Sequence, residues 1–432
     1  MNLVAHSASL KAAILTAIAL LLLVPLSLLG SLVTERTSQR DAAVQSVARG
    51  WGDRQWIAGP ILAIPVTTES EPARTSDWYV LPDRLDIAVE LQVQDTRRRL
   101  GLYDVPVYIA RVRAKGEFDL QHEVSRSGTS LHLHLEQTRL LLPIKDPRGL
   151  RDLVSRTQEF QNFEPSSGFP IPVLAVPLNI GADPSVGPHT FDLSFDLAGT
   201  QSLEFLPLAR VVRVQTHGNW PDPGFTDGFL PTERRIDARG FTANWQVLNL
   251  NRTYGDRWFQ GSVSTETLLA SGFGIELAQP VDIYQRITRA VKYGGLFIAL
   301  SFLTLFLVEH LQGQRIHPIQ YGLMGLALSV FYLLLLALAE QIGFLSAYVL
   351  ATAALCVLMG VYLAGGLRSA RTGMTSGGIF AAMYALLYLL VTSESYALLA
   401  GSLALFALLA TAMLLTRKID WYAQEATSDP ES

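Results

Sequence analysis

Cysteine is nearly absent from this chain: among 432 residues Cys356 stands alone, within an apolar run. A disulfide therefore cannot form inside the chain, and a domain outside the cytoplasm must be stabilised by an ordinary buried core. Charge is scarce too, since charged residues make up 17% of the sequence, the net charge is −4 and no dense Lys/Arg run occurs. Such a chain produces no field that attracts DNA or RNA, which excludes nucleic acid as an expected partner.

Motifs of well-known chemistry are missing as well. The sequence contains no phosphate-binding loop, no His-Glu-x-x-His zinc helix and no Gly-x-Ser-x-Gly nucleophile elbow. The lone thiol lies among apolar residues rather than in the electropositive setting that a reactive thiolate needs. We therefore expect no enzymatic activity, no catalytic residues and no cofactor. A hydrolase would need a polar cleft in which Asp104, His132 or Glu136 converges with other groups.

Apolar sequence is abundant near the start of the chain and over its last third. A bilayer's hydrocarbon core is about 30 Å thick, which an apolar helix of about 20 residues crosses. The sequence therefore predicts an integral membrane protein with six transmembrane helices, a single one followed later by a five-helix bundle at 290–416. The predicted spans are residues 12–33, 294–308, 319–339, 342–364, 375–391 and 396–416.

Lysine and arginine predict the orientation of these helices. Six spans place both termini on one side, where the basic residues near the spans also fall: Lys11, Arg315, Arg368, Arg371, Arg417 and Lys418. The short loops opposite carry only Glu340 and Glu394 as charges. Because basic loops stay in the cytoplasm, we predict cytoplasmic termini, a cytoplasmic tail at 417–432 and an extracytoplasmic domain at 34–289.

The first apolar run has a second interpretation, a cleaved signal peptide. The residues at the C-terminal end of its apolar core, Leu28 to Ser31, lack the small residues two positions apart that a signal peptidase requires. This favours an uncleaved anchor in residues 1–33. The helix is expected to continue outward as far as Trp51, because no Gly or Pro interrupts the sequence between Thr34 and Arg49.

The polar segment at 34–289 alternates between polar and apolar residues over short stretches separated by Gly and Pro. In LDIAVELQV, residues 85–93, every second residue is apolar, as on a strand with one buried face. We expect a large β-rich domain of antiparallel, sandwich-like architecture, with one helix at 148–160 after Asp146-Pro147. Further strands are predicted within 105–118, 131–142, 191–197, 209–214 and 240–250.

His132, His134 and Glu136 are the candidates for a metal site. They occupy alternate positions in LHLHLEQ, so on a strand their side chains would point the same way with neighbours about 7 Å apart. No further ligand is identifiable in the sequence, and the solvated face of a half-buried strand is the alternative interpretation.

Ionisable residues of the predicted bundle lie at span ends. Glu309 and His310 fall at the inner end of the second span and Glu340 in an outer turn, where we expect water or headgroups to solvate them. Tyr332 and Tyr384 lie within spans and need hydroxyl partners, which neighbouring helices in a compact bundle can supply.

Several longer stretches resemble one family over most of the chain. They are QR and RAVKYG before the second span, LFIALSFLTLFLVE within it, RIHPIQY at 315–321, GLALSVFYLLLLALAEQIGF at 325–344, GLYDVPVY at 101–108, the Phe229-Leu230-Pro231 turn and GFTANW at 240–245. Their combination resembles the CreD family of bacterial inner-membrane proteins, which are described as envelope-integrity proteins. The resemblance implies the bacterial cytoplasmic membrane, a periplasmic location for 34–289, an envelope stress response, and no known catalytic residues.

The family's recurrent segments flank the membrane boundary, which makes their residues candidates for the membrane interface or for docking the domain on the bundle. These candidates are Lys292, Tyr293, Arg315, His317, Pro318 and Tyr321, with Glu340 in the outer turn. The predicted function is non-enzymatic support of envelope integrity, in which the periplasmic domain binds or senses an unknown envelope protein, lipid or glycan. The lipid bilayer is the one definite partner, and the oligomeric state stays open. A transporter or lipid-handling protein that uses the C-terminal bundle is the alternative.

Overall fold

The computed structural model describes residues 8–413 with internal gaps, and every structural statement below concerns the described residues. The gaps are 69–74, 95–97, 101–102, 121–130, 156–161, 179, 181–187, 227, 278–282, 313–315, 367–369, 394–398, 400, 404–405, 407–409 and 411–412. The chain divides into two compact units. Residues 1–39 and 281–432 form what we call the membrane unit, and residues 40–280 form the β-rich unit.

The helices account for nearly all of the described membrane unit. The helices of the described chain are α1 (Ala8–Leu21), α2 (Leu23–Trp51), α3 (Thr265–Leu269), α4 (Ile283–Gln312), α5 (Pro318–Ile342), α6 (Phe344–Gly366) and α7 (Ala370–Thr392). Residues 40–51 of α2 and the short α3 belong to the β-rich unit. Five helical stretches are long and apolar enough to cross a membrane: Ala13–Trp51, Ile283–Phe306, Pro318–Ile342, Phe344–Gly366 and Gly373–Thr392. They correspond to the first five predicted spans. The sixth, 396–416, lies for the most part outside the described residues.

Proline and glycine set the helix boundaries. Pro25 has no N–H and its ring crowds the carbonyl of residue 21, so the helix is interrupted at Leu22 and α1 and α2 are separate segments. Gly343 stands between α5 and α6 with a φ of +79°, a conformation that suits glycine and reverses the chain in one residue. Helix α2 continues to Trp51, as predicted. The predicted domain limits at residues 34 and 289 thus fall inside α2 and α4.

Small residues let helices α6 and α7 approach closely. Gly373 is buried, and a Cβ placed on it would lie 2.5 Å from both the Cβ of Ala364 and the carbonyl oxygen of Gly360. The backbones of the two helices are therefore in direct contact, as small residues at matching positions allow.

Strands dominate the β-rich unit. They are β1 (Gln55–Ile57), β2 (Ile61–Thr68), β3 (Thr75–Val80), β4 (Arg84–Val93), β5 (Arg98–Leu100), β6 (Tyr103–Val105), β7 (Val107–Phe118), β8 (Leu131–Leu133), β9 (Arg139–Pro143), β10 (Leu150–Ser155), β11 (Glu164–Ser166), β12 (Val173–Pro177), β13 (His189–Thr200), β14 (Ser202–Phe205), β15 (Val211–Gly218), β16 (Gly224–Phe225), β17 (Glu233–Asp237), β18 (Gly240–Leu248), β19 (Arg257–Phe259) and β20 (Phe273–Glu276).

Two seven-stranded sheets face each other. We call the first the mixed sheet, with strand order β10-β13-β7-β4-β15-β18-β17; the second runs β11-β12-β9-β2-β3-β19, with β8 also paired to β2. A four-stranded sheet, β1-β14-β20-β16, and the β5-β6 hairpin complete the unit. Only the β4–β15 and β1–β14 pairs are parallel among the described ladders. The prediction of a sandwich-like, mainly antiparallel unit agrees with this arrangement.

Alternating burial builds the core between the sheets. In β4 the five apolar residues from Leu85 to Val93 are buried and their neighbours are exposed or half-buried, as predicted. They join one cluster with residues of the second sheet such as Leu62 and Leu140 and with Phe205 and Phe273 of the four-stranded sheet. The other face of the second sheet is also covered, by a separate cluster around Tyr79 and Trp258.

The helix predicted at 148–160 is wrong. Pro147–Gly149 forms a single 3₁₀ turn, and the chain then continues as strand β10, which pairs with β13. The ladder shifts register between Arg151 and Val154, with Asp152 at a φ of +48°. This bulge removes the period of two from the sequence, which is why the strand was not recognised. Residues 156–161 lie outside the described part of the chain.

Candidate functional site

The three metal-site candidates do not share one strand. Strand β8 ends at Leu133, and Leu135–Gln137 form a 3₁₀ turn that breaks the alternation. His134 lies with Nε2 3.0 Å from Oγ1 of Thr67 and Nδ1 3.5 Å from Oε1 of Glu136, while His132 is exposed. Within the described chain, no three His, Cys, Asp or Glu side chains are grouped so that they could hold a metal ion.

His317 and Pro318 begin helix α5. Nδ1 of His317 accepts a hydrogen bond from the backbone N–H of Ile319 at 3.3 Å, and the Gln320 side chain accepts one from the backbone N–H of His317 at 3.0 Å. Pro318 occupies the first helical turn, where a missing N–H costs nothing. These two candidates therefore cap a helix. Arg315 lies outside the described residues.

The remaining candidates on α4 and α5 differ in exposure. Lys292 is exposed and Tyr293 is half-buried on α4. Tyr321 on α5 is fully buried, and its hydroxyl donates a hydrogen bond of 2.7 Å to Oε2 of Glu309. Glu309 is itself only 8% exposed, so the expectation that water or headgroups solvate it is wrong. Helix α4 runs on to Gln312, and this length carries Glu309 into contact with the first turns of α5.

Glu340, at the other end of α5, connects three helices. Its Oε1 accepts a hydrogen bond of 3.1 Å from the hydroxyl of Tyr284 on α4 and lies 3.7 Å from Nε of Arg36 on α2. The Glu340 side chain is 10% exposed, so this carboxylate is also more buried than expected. The sequence could not reveal its partners, because both Arg36 and Tyr284 are distant from Glu340 along the chain.

An aromatic cluster occupies the interior of the helix bundle. We define it as Phe297, Phe331, Tyr332, Phe344, Tyr348, Tyr384 and Tyr388, which come from four helices. Phe331 is central, with ring centroids 5.1, 5.7 and 4.5 Å from those of Tyr332, Tyr348 and Tyr384. The hydroxyl of Tyr348 donates a hydrogen bond of 2.6 Å to the backbone carbonyl of Tyr384. The predicted hydroxyl partners of Tyr332 and Tyr384 are not found among the described residues.

Within the β-rich unit, the last residues of helix α2 are joined to neighbouring strands by a polar junction that the sequence did not indicate. We define it as Trp51, Gly52, Gln55, Asp146 and Arg148. Trp51 donates a hydrogen bond of 3.2 Å from Nε1 to the carbonyl of Tyr108, and the Arg151 guanidinium lies 4.6 Å above its ring. The bulge in β10 follows directly after Arg151.

Gln55 and Gly52 form the inner part of the junction. Gln55 is fully buried; its Nε2 donates to the carbonyls of Asp146 and Ala198, each at 3.1 Å, and its Oε1 accepts from the N–H of Asp146 at 3.1 Å. A side chain at Gly52, whose φ is +139°, would place a Cβ 2.4 Å from the carbonyl oxygen of Ala198. The helix end is thus held against β13 by backbone contact.

The Asp146 carboxylate completes the junction. It accepts hydrogen bonds from the backbone N–H groups of Asp53 and Arg148 and from Nε and Nη2 of Arg148, at 2.8 to 3.2 Å. Burial by itself would raise the pKa of Asp146, but these hydrogen bonds and the Arg148 charge outweigh it and hold the pKa below its ordinary value. Protonation of this carboxylate would weaken the junction.

Backbone strain is concentrated beside the junction. Among the described residues, non-glycine positive φ angles occur at Asp152, Asn162 and Gln201, and two of these flank it. Gln201, at +62°, accepts a hydrogen bond of 2.7 Å from Nε of Arg54. Strain of this kind persists only where the surrounding contacts fix the backbone.

The solvent side of the mixed sheet, which we call the outer face, is polar and regularly charged. Arg113 forms two hydrogen bonds with Asp192, at 3.0 and 2.8 Å, and Arg111 lies 3.4 Å from Glu90. The face is formed by alternate residues of five strands. They include Asp86, Glu90, Arg111, Arg113, Lys115, Asp192, Arg213, Gln215 and Gln246.

Fold and helices together define a multi-span membrane protein that carries a large β-rich unit between its first and second membrane helices. A sequence profile of the family described as inner membrane protein CreD matches residues 7–422. Inner membrane protein CreD of Escherichia coli (strain K12) is 31% identical over 436 residues, which cover 95% of this chain and 95% of that protein. The chain belongs to the CreD family of inner membrane proteins, as its motifs had indicated.

Proposed function

We propose that this member of the CreD family is a non-catalytic protein that supports the integrity of the cell envelope. In this proposal both termini are cytoplasmic, the β-rich unit lies in the periplasm, and its outer face binds or senses an envelope component. The family membership supports the inner-membrane location. The observation that carries the binding role is the outer face of the mixed sheet.

The outer face is open, flat and polar. Arg111, Lys115, Arg213 and Gln215 are exposed, and no described element covers the centre of the sheet. Charges of both signs alternate with amide and hydroxyl groups, and no large apolar side chain lies among the residues at its centre. Such a surface complements hydrogen-bonding and charged groups and offers little to a lipid tail, which needs apolar area. A glycan or a protein therefore fits the outer face better than a lipid tail does.

Site-specific crosslinking tests the outer face. A photoreactive amino acid is placed at Gln215 or at Gln246 in the full-length protein in cells, with the exposed Glu266 on α3 as the control position. We expect both outer-face positions to capture the same glycan or protein and the control position to capture none of it. Equal capture at the control, or capture of bulk lipid alone, would contradict the proposal.

The single cysteine allows a separate test of the periplasmic location. Cys356→Ser yields a chain without thiols, and Glu266→Cys then places one thiol on the exposed surface of the β-rich unit. A maleimide that does not cross membranes should label intact spheroplasts as strongly as lysed ones. Labelling that appears only after lysis would place the unit in the cytoplasm and end the proposal.

The rival function is transport or lipid handling by the C-terminal helices. A water-lined cavity reaching Tyr332 or Tyr384 would favour it, whereas both side chains are fully buried among aromatic rings. Close packing around these two side chains supports an anchoring bundle over an open path.

A further inference from the structure

The first turns of helix α4 are positively charged. Arg286, Arg289 and Lys292 stand three residues apart, and the helix contains no Asp or Glu before Glu309. Residues three apart are neighbours on a helix surface, and like charges at this spacing destabilise the helix. Three successive cations therefore carry an electrostatic cost that a bound anion would relieve.

The nearest buried carboxylate of this end of the bundle does not neutralise the row. Oε1 of Glu340 accepts the hydrogen bond from Tyr284, in the first turn of α4, and lies 3.7 Å from Nε of Arg36 on α2. Arg286 and Lys292 form no ion pair with an acidic residue that the structure describes. The start of α4 therefore keeps surplus positive charge at the end of the membrane unit where Glu340 lies.

The row of cations leads from the interior of the bundle to its surface. Arg286 is half-buried, and its guanidinium carbon lies 5.4 Å from the centroid of the Phe344 ring, at the start of α6. Arg289 is half-buried as well, whereas Lys292 is exposed. An anion can therefore reach Lys292 from outside the bundle, with Arg289 as the neighbouring cation.

The exposed side of α4 changes from polar to apolar beside Lys292. Before it stand the exposed Gln285 and Thr288, and after it the exposed Leu296 and Ala299. Helix α4 contains one of the five stretches that are long and apolar enough to cross a membrane. A polar surface that becomes apolar within one turn of such a helix matches the boundary between lipid headgroups and acyl chains. A free anion would contact only the polar part, whereas a lipid contacts both.

We propose that Arg289 and Lys292 bind the phosphate of an anionic phospholipid, whose acyl chains lie along Leu296 and Ala299. Thr288 and Arg289 stand one turn before Lys292 and flank it on the helix surface, so an ammonium, a guanidinium and a hydroxyl surround one position. The oxygens of a phosphodiester accept hydrogen bonds from all three groups. A zwitterionic headgroup brings its own ammonium, which the row of cations repels. This inference concerns the membrane unit and does not depend on the partner of the outer face.

Native mass spectrometry of the full-length protein in detergent tests the lipid site. The protein is titrated with phosphatidylglycerol and, separately, with phosphatidylcholine that carries the same acyl chains. We expect the wild type to bind phosphatidylglycerol more tightly than phosphatidylcholine. Lys292→Gln and Arg289→Gln should each weaken the binding of phosphatidylglycerol about fivefold, the factor that one cation near an anionic lipid contributes. Lys292→Arg, which keeps the charge, should bind phosphatidylglycerol as the wild type does.

The exposed Arg235 on strand β17 provides the matched control, because Arg235→Gln removes one positive charge from the β-rich unit. This variant should keep the wild-type affinity for phosphatidylglycerol. Inorganic phosphate, added in excess, distinguishes a lipid from a free anion and should not displace bound phosphatidylglycerol. Any one of four results would overturn the proposal: equal affinity for the two lipids, wild-type affinity in Lys292→Gln and Arg289→Gln, an equal loss in Arg235→Gln, or displacement by phosphate.

Discussion

Replacing Gly373 by alanine should separate helices α6 and α7. The added Cβ would lie 2.5 Å from the Cβ of Ala364 and from the Gly360 carbonyl oxygen, and neither atom can rotate out of the way. Overpacking of this kind costs roughly 1–3 kcal/mol. Alanine also gains about 1 kcal/mol in helix propensity over glycine. The variant Gly378→Ala on the same helix is the control: its added Cβ meets no atom within 4 Å, so it shows the gain in helix propensity without the clash.

The lone thiol supplies the assay. Cys356 lies on α6 about one turn before Gly360 and is half-buried. A Cβ on Gly377 would lie 3.5 Å from its carbonyl oxygen, so this part of α6 also faces α7. A maleimide that fluoresces on reaction reports thermal unfolding of the detergent-solubilised protein at this one site. Gly373→Ala should unfold below Gly378→Ala by roughly 2–4 °C for each kcal/mol of difference.

Identical behaviour of the two variants would refute the contact between backbones. If Gly373→Ala and Gly378→Ala unfold at the same temperature and react with the maleimide at the same rate before heating, then α6 and α7 are not packed through Gly373. If Gly378→Ala unfolded at a lower temperature than Gly373→Ala, the close contact would lie on the face of α7 that carries Gly378.

Three further predictions concern the junction and the helix cap. Because the pKa of Asp146 is lowered in the folded protein, its charge contributes to stability above the unfolded pKa of about 3.9, and this contribution is lost as the pH falls below that value. The wild type should therefore unfold at a higher midpoint than Asp146→Asn near neutral pH, and the difference between the two midpoints should shrink in acid. A difference that grows in acid would contradict the assigned hydrogen bonds. Gly149→Ala places a Cβ 2.2 Å from the Ala198 carbonyl oxygen and should destabilise the β-rich unit by roughly 1–3 kcal/mol, measured by denaturant unfolding, whereas Gly255→Ala, with its nearest contact at 3.5 Å, should change little. His317→Ala should cost about 1 kcal/mol of thermal stability through loss of the α5 cap, and His317→Asn should restore most of it; equal loss in both would rule out a capping role.

The sequence-based predictions that the structure confirms rest on two patterns, the alternation of polar and apolar residues in strands and the length of the apolar runs. The five apolar residues of β4 are buried as predicted because a strand with one solvated face must alternate. Strand β2 was missed for the converse reason. Its residues Ile61 to Ile64 are all buried, since the second sheet is covered on both faces, and such a strand shows no period of two.

For the candidate site residues, the sequence predicted the positions but not the structural roles. Motifs at the membrane boundary were recognisable, yet His317 and Pro318 cap a helix, and the partner of Tyr321 is a carboxylate on another helix. The junction around Asp146 had no signal at all, because Gln55, Asp146 and Ala198 are brought together from distant parts of the chain. Pairings of this kind depend on how elements pack and not on spacing along the sequence.

By itself, the sequence determined that this protein crosses a membrane several times and carries a strand-rich body between its first two spans, because apolar length and polar alternation are local properties of the chain. Only the tertiary structure decided which polar groups are buried and with whom: Glu309 with Tyr321, Glu340 with Tyr284 and Arg36, and two tyrosine hydroxyls with no partner within the described chain. Burial of a polar group is settled by the neighbours that exclude water from it, and those neighbours come from other helices and strands.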